Sequence, residues 1–243
     1  MSVGSVAERL SEIRERVERA ATLAGRPGGV RLLAVSKTQP AAAIREAYAA
    51  GQRDFAENYV QELARKAEEL AVLGDVRFHL IGHLQRNKAK QVVRVASAIH
   101  SVDSAELVEE LDKRLDGIDV PVERRAFDEE ARFPVLVEVS IADEAQKSGC
   151  APAELGAVLD AVDAAVHLRV VGLMCVPPLT DEPAASRPYF DALARLRDEH
   201  GGVARLPELS MGMTADFEHA ILAGATVVRV GTAIFGSRPE KSA

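Results

Sequence analysis

Residues 31–57 read RLLAVSKTQPAAAIREAYAAGQRDFAE. The stretch begins with a short apolar run typical of a buried strand, Arg31–Ser36. It continues with a segment of helical composition, Ala41–Ala50, and returns to a second apolar run, Asp54–Glu57. A strand, a helix and a further strand in this order predict two parallel strands joined by a right-handed crossover. The stretch therefore indicates an α/β fold.

The same alternation repeats along the rest of the chain. Six further strands are predicted, at Phe78–Ile81, Ala98–Ser101, Val135–Val139, Leu168–Met174, Glu208–Ser210 and Val227–Val230. Helices are predicted at Val6–Leu23, Tyr59–Val72, Asn87–Ala96, Ala105–Leu115, Ala153–Ala164, Ser186–Glu199 and Asp216–Ala223. Eight strands favour a single closed (β/α)8 TIM barrel over about residues 30–238, preceded by an extra N-terminal helix. We expect residues 1–243 to form one domain, and an open doubly wound sheet is the alternative.

Composition excludes several classes of protein. The 30 Lys and Arg residues against 37 Asp and Glu give a net charge of −7, which argues against a general binder of nucleic acid or of anionic membranes. We see no secretory signal and no apolar run approaching the ~18 residues of a membrane span, so we expect a cytoplasmic protein. The two cysteines, Cys150 and Cys175, do not form a CxxC motif, which disfavours a disulfide framework or a zinc finger.

One segment departs from the alternating pattern. Residues 117–133 read GIDVPVERRAFDEEARF, which is charged and has no clear apolar period. We expect a solvated surface loop there, before the fifth strand.

In a parallel barrel the active site lies at the carboxyl ends of the strands. Lys37 follows the first strand there, and an ammonium beside apolar walls has a lowered pKa and can act as an amine nucleophile, although the lysine could also simply face solvent. Glu57 and Asn58 follow the second strand, where helix capping explains both residues. His79 and His83 lie about 13 Å apart if they share a strand, which disfavours a metal site. His83 remains a site candidate, and a structural role is expected for His79.

The last two strands end in sequences suited to an anion. Ser210-Met211-Gly212-Met213-Thr214 follows the seventh strand and Gly231-Thr232 the eighth, and glycine with a helix N-terminus favours phosphate at these loops. Arg229 shares a face with Val227, which places its guanidinium inside the barrel, where it needs a carboxylate or a ligand as partner. A lysine at the carboxyl end of the barrel, two loops suited to a phosphate and an arginine that points into the barrel together fit one kind of ligand. This ligand is a phosphorylated aldehyde held as a Schiff base. Pyridoxal 5′-phosphate (PLP) fits all three features, and a phosphorylated sugar fits the first two.

Five segments, in order, closely resemble the YggS/PROSC family of pyridoxal phosphate homeostasis proteins. They are AVSKTQP (34–40), ENYVQE (57–62), FHLIGHLQRNK (78–88), LSMGMTADFEHAI (209–221) and VRVGTAIFG (228–236). The resemblance runs from about residue 8 to residue 238 and implies a barrel like the N-terminal domain of alanine racemase. The family usually has glycine at the position of Ala56 and often serine at that of Thr214.

The resemblance also implies roles for single residues. Lys37 is expected to form the internal aldimine with PLP, and Arg229 to meet the pyridine nitrogen. The residues at the phosphate-binding positions are Ser210, Thr214, Gly231 and Thr232. The residues expected to line the pocket are Asn58, Val35, His83 and Met213. Lys147 matches a lysine-bearing segment of the family without an assigned role.

The expected function is that of a carrier that buffers PLP and could supply it to apo-enzymes, as a monomer or weak homodimer. The alternative is a weakly active PLP-dependent racemase. A two-base racemase needs a second acid/base, which a tyrosine of another domain provides in racemases with this barrel. We expect no such domain here, and Tyr59 is the one plausible substitute. Arginine at the ring nitrogen also makes the ring a weaker electron sink. A Schiff-base aldolase ranks third, with Glu57 and Glu138 as its acid/base candidates.

Overall fold

The computed structural model describes residues 4–118, 126–127, 132–142, 148–178 and 180–236. Eight strands form a closed barrel in chain order, and every neighbouring pair is parallel. They are β1 (Arg31–Val35), β2 (Asp54–Glu57), β3 (Arg77–Leu80), β4 (Ala98–Val102), β5 (Phe133–Glu138), β6 (Leu168–Met174), β7 (Glu208–Ser210) and β8 (Val227–Val230). The closure between β8 and β1 confirms the predicted barrel and excludes the open sheet.

Helices surround the barrel. They are α1 (Val6–Leu23), α2 (Ala41–Ala49), α3 (Val60–Glu69), α4 (Ala89–Val92), α5 (Ala105–Leu115), α6 (Leu155–Ala164), α7 (Arg187–Glu199), α8 (Gly202–Arg205), α9 (Phe217–Leu222) and α10 (Thr232–Phe235). The predicted helix Asn87–Ala96 is shorter than expected, with a 3₁₀ turn at Arg86–Lys88 leading into α4. Within the described ranges, no helix is long and apolar enough to cross a membrane.

The additional N-terminal helix is held at its start and along one face. The Ser5 hydroxyl accepts from the Glu8 amide at 3.2 Å, and the Glu8 carboxylate accepts from the Ser5 amide at 2.7 Å, which is a capping box. The buried residues of α1 are Val6, Leu10, Ile13, Val17, Ala20 and Ala21. This face packs against α2, α9 and α10, so α1 covers the helical layer near the junction of β8 with β1.

Along β8, side chains alternate between the helix-facing surface of the barrel and its interior. Val228 and Val230 belong to the large apolar cluster between the strands and the helices. Val227 packs with Leu33 in a separate cluster inside the barrel. Because side chains alternate along a strand, Arg229 lies on the inner side with Val227, as predicted.

The segment before β5 is packed where the structure describes it. Ala126 is buried and donates its N–H to the Ser97 carbonyl at 3.2 Å. The Phe127 ring centroid lies 5.8 Å from those of His79 and His100, and the Arg31 guanidinium lies 4.8 Å from it. The expected solvated loop is therefore wrong at these two residues, because an apolar ring covers the amino-terminal end of the barrel. Residues 119–125 and 128–131 lie outside the described ranges.

Candidate ligand site at the carboxyl ends of the strands

The backbone on both sides of Lys37 is anchored by an ion cluster around Lys66, a fully buried lysine of α3. The Lys66 ammonium donates to the Ser36 carbonyl at 2.6 Å, and it lies 2.6 Å from Glu57 Oε1 and 2.8 Å from Glu62 Oε1. The same Glu62 oxygen accepts the Thr38 N–H at 2.7 Å. Thr38 adopts φ of 65°, an uncommon conformation for a residue with a side chain. The residues that flank Lys37 are thus fixed by one ion cluster.

This cluster revises the role of Glu57. The α3 helix has no side-chain cap at its start, so the capping interpretation of Glu57 is wrong. Its Oε1 atom instead accepts from Ser36 Oγ at 2.7 Å and from Lys66. Burial raises the pKa of Glu57, while the Lys66 charge opposes that shift. No role was predicted for Lys66, although its spacing from Leu63 on the buried face of α3 indicates burial.

The ends of β7 and β8 meet the end of β1. Gly212 has φ of 90°, and a Cβ there would lie 2.5 Å from the Ala220 Cβ. A Cβ on Gly231 would lie 3.0 Å from the Val35 carbonyl oxygen, and the Gly231 N–H donates to Thr214 Oγ1 at 3.4 Å. Position 212 therefore requires glycine, and Gly231 allows its loop to lie close to the end of β1. The predicted phosphate residues of β7 and β8 and the end of the lysine-bearing strand form one side of the mouth.

Arg229 is almost completely buried beneath that side of the mouth, with 3% of its surface exposed. Its Nη1 donates to Ser210 Oγ at 2.8 Å and its Nη2 to the Cys175 carbonyl at 2.9 Å. Burial raises the pKa of Glu138 to about 7, against the opposing effect of the Arg229 charge. The arginine is thus hydrogen-bonded to a hydroxyl and a carbonyl, and the nearby carboxyl acts on it electrostatically.

The other side of the mouth holds a cavity of about 270 Å³. Asn58, His83 and Glu138 line it, together with residues from the ends of β3, β5 and β6. Asn58 Oδ1 and Glu138 Oε2 are buried and have no hydrogen-bond partner within the described part of the chain. Two buried polar atoms without a partner in one cavity suit a ligand that forms hydrogen bonds to them. The His83 side chain is 53% exposed and lies 3.4 Å from Asp103.

The remaining residues predicted for the site differ in exposure, and one of them is not described by the structure. Met213 is half-buried, and its N–H donates to Asp216 Oδ1 at 2.6 Å. Thr232 is exposed at the start of α10. Lys147 lies outside the described residues. Among the residues that the structure describes, no group of His, Cys, Asp and Glu side chains is arranged to hold a metal ion.

Comparison with known proteins places this barrel in a family. Residues 9–239 match the family model described as alanine racemase, N-terminal domain. A pyridoxal phosphate homeostasis protein of Pseudomonas aeruginosa is 43% identical over 238 residues, which cover 97% of each chain. The structure of PipY from Synechococcus elongatus PCC7942, solved with PLP bound, is 38% identical with a TM-score of 0.79, covering 96% of this chain and 100% of that one.

A more distant solved structure shares only the fold. Alanine racemase from Corynebacterium glutamicum is 17% identical with a TM-score of 0.65, and the match covers 98% of this chain and 62% of that one. The fold and the identities above agree with the resemblance found in the five sequence segments. The chain belongs to the family of the pyridoxal phosphate homeostasis proteins and has the barrel of the alanine racemase N-terminal domain.

Proposed function

We propose that this protein binds PLP covalently through the Lys37 amine and serves PLP homeostasis by storing and releasing it. The observation that carries the proposal is the anchored segment at the end of β1, where Lys66 and Glu62 hold the backbone on either side of Lys37. A relative named for PLP homeostasis and a relative solved with PLP bound support it. When bound, PLP supplies an aldehyde that reacts reversibly with a primary amine and releases water.

The residues at the mouth fit the parts of this cofactor. The loops that contain Gly212 and Gly231, with Thr214 beside them, lie where the resemblance places the phosphate. The Arg229 guanidinium lies inside the barrel, beneath the ends of β7 and β8, and the resemblance implies that it contacts the pyridine nitrogen of PLP. Asn58 and Glu138 line the adjoining cavity with polar atoms that have no partner within the described residues. These residues bind and orient the cofactor and exclude water from its inner face.

A carrier is favoured over a racemase. Tyr59, the one plausible second acid/base, is 60% exposed at the start of α3. Arg229 is held by Ser210 and Cys175 and does not readily give a proton to a ring nitrogen, which limits carbanion chemistry. We therefore propose binding and release as the activity. Delivery to apo-enzymes, a cytoplasmic location and a monomeric or weakly dimeric state stay predictions.

Borohydride trapping tests the proposal. Protein mixed with PLP is reduced, digested and analysed by mass spectrometry, with Lys37→Ala as the test variant and the exposed Lys90→Ala as its matched control. We expect one reduced adduct on the Lys37 peptide in the wild type and in Lys90→Ala, and none in Lys37→Ala. An adduct on another lysine, or none at all, would overturn the proposal. A parallel assay for exchange of the Cα proton of alanine separates the carrier from the racemase.

A further inference from the structure

A series of hydrogen bonds crosses the barrel interior and ends at Arg229. Asp54 Oδ1 lies 3.1 Å from His79 Nε2, and His79 Nδ1 lies 3.0 Å from His100 Nε2. His100 Nδ1 lies 3.0 Å from Ser210 Oγ, which accepts from Arg229 Nη1 at 2.8 Å. Both imidazoles and the serine are fully buried, and we call Asp54, His79, His100 and Ser210 the histidine chain. It joins the amino-terminal end of the barrel to the residue under the mouth.

The direction of these hydrogen bonds is set at Asp54. Burial would raise the pKa of Asp54, but hydrogen bonds from Arg77 and His79 outweigh it and hold that pKa far below its usual range. Arg77 donates from Nε at 2.7 Å and from Nη2 at 2.8 Å, and Arg31 Nη1 lies 3.6 Å away. The Asp54 carboxylate is therefore ionised and accepts only. It follows that His79 donates its Nε2–H.

The state of the two imidazoles then determines every later bond. Burial lowers the pKa of His79, and Asp54 opposes this only in part. Burial lowers the pKa of His100 well below its usual value, with repulsion from His79 and Arg229 adding to it. A neutral imidazole carries one N–H, so His79 Nδ1 accepts from His100 Nε2–H. His100 Nδ1 then accepts in turn, and its donor is the Ser210 hydroxyl.

We infer that His79 and His100 are neutral imidazoles protonated at Nε2 and that, with Ser210, they are positioning residues that fix the Arg229 guanidinium. The Ser210 hydroxyl donates to His100 and accepts from Arg229, so its proton is not available to a phosphate. This assigns Ser210 a role different from the phosphate contact that the sequence predicts for it. Thr214 and the loop of Gly231 remain as the phosphate side of the mouth.

A doubly protonated His79 would reverse the pattern. His100 would then accept at Nε2 and donate its Nδ1–H to Ser210, which would free the serine proton for a phosphate. The two arrangements differ in which ring nitrogens carry hydrogen, and this is measured by nitrogen NMR of the ligand-free full chain labelled at histidine. The exposed or half-buried His83, His167 and His200 serve as internal references.

We expect two histidines that carry hydrogen only on Nε2 at neutral pH and that gain a second proton only below the pH at which an ordinary histidine does, because both rings are buried. Single variants at His79 and His100 assign their signals. A His79 that carries two protons, or a His100 that carries hydrogen on Nδ1, would overturn the inference. This measurement needs no cofactor, so its failure is separate from a failure of the proposed function.

A second experiment rests on the proposed PLP site and tests the role of Ser210. The affinities for PLP and for pyridoxal, which lacks the phosphate, are compared in Ser210→Ala, Arg229→Gln and Thr214→Val. We expect Ser210→Ala to lower the affinities for PLP and for pyridoxal by a similar factor of about 10, in the same pattern as Arg229→Gln. We expect Thr214→Val to lower the affinity for PLP and to leave that for pyridoxal unchanged. A Ser210→Ala variant that lowers the affinity for PLP alone would contradict the positioning role.

Discussion

The Lys66 ammonium lies 2.6 Å from the carbonyl oxygen of Ser36, the residue directly before Lys37. Lys66 is fully buried on α3, and its other two contacts are carboxylate oxygens of Glu57 and Glu62. Three acceptors match the three N–H groups of one ammonium. A buried cation with complete pairing holds one backbone geometry, and here it fixes the end of the strand that carries Lys37.

Replacing Lys66 with methionine should destabilise the protein by about 3–5 kcal/mol, because Glu57 is left buried without its counter-charge. Chemical denaturation of the ligand-free protein measures this loss. Adding Glu57→Gln to the same chain removes the unpaired charge and should recover part of the stability. Lys90→Met, at an exposed position, is the control and should change the free energy of unfolding by less than about 0.5 kcal/mol. Equal effects of the two lysine substitutions would contradict a structural role for this cluster.

Gly212→Ala should cost stability and weaken ligand binding. The residue has φ of 90°, and the added Cβ would lie 2.5 Å from the Ala220 Cβ and 2.9 Å from the Phe217 Cα. Holding an alanine at this φ costs about 1–3 kcal/mol of stability. The loop must also shift relative to α9 to relieve the clash. Gly74→Ala is the matched control, because nothing lies within 4 Å of a Cβ there. Thermal unfolding compares the two variants, and a Gly212→Ala protein as stable as Gly74→Ala would show that the loop has another conformation.

The two cysteines should be inert in the folded protein. Both thiols are buried, and burial raises the pKa of Cys150 to about 12 and that of Cys175 to about 12. Since the thiolate is the reactive form, a disulfide reagent should modify the native protein at least about 100-fold more slowly than the unfolded chain. Reaction of one thiol at the unfolded rate would instead show that its strand end opens in solution.

The strand order was predictable because each strand is a local apolar run bounded by turns. The inward face of Arg229 was predictable too, since alternation along four residues decides it. His100 and Phe127 were not assigned roles, because their partners lie on other strands and only closure of the barrel brings them together. Lys66 has local partners, Glu57 and Glu62, but a lysine on an amphipathic helix is ordinarily expected to face solvent. Glu57 shows a related limit. Its position next to a helix suggested a cap, but its partner is Lys66, on the buried face of that helix.

Glu138 should give the ligand-free protein a pH-dependent stability. Its pKa is raised to about 7 in the folded state from an ordinary value of 4.5, by burial against the opposing Arg229 charge and with added repulsion from Asp103. Between these two values the folded state binds more protons than the unfolded state. The contribution of Glu138 to the free energy of unfolding therefore falls as pH rises from about 4.5 to about 7, and it changes little above that.

Glu138→Gln removes this dependence, because glutamine has nearly the shape of the protonated carboxyl and does not ionise. The variant and the wild type should have similar stability near pH 4.5, and the variant should become the more stable protein by up to about 3 kcal/mol near pH 8. Glu109→Gln on the exposed face of α5 controls for loss of a surface charge and should show no such trend. Denaturation across this pH range decides the matter: parallel curves for wild type and Glu138→Gln would mean that the carboxyl is ionised throughout. Glu138 would then be stabilised by a charged partner in solution, and its carboxyl would not be the unpartnered group that lines the cavity beside Asn58.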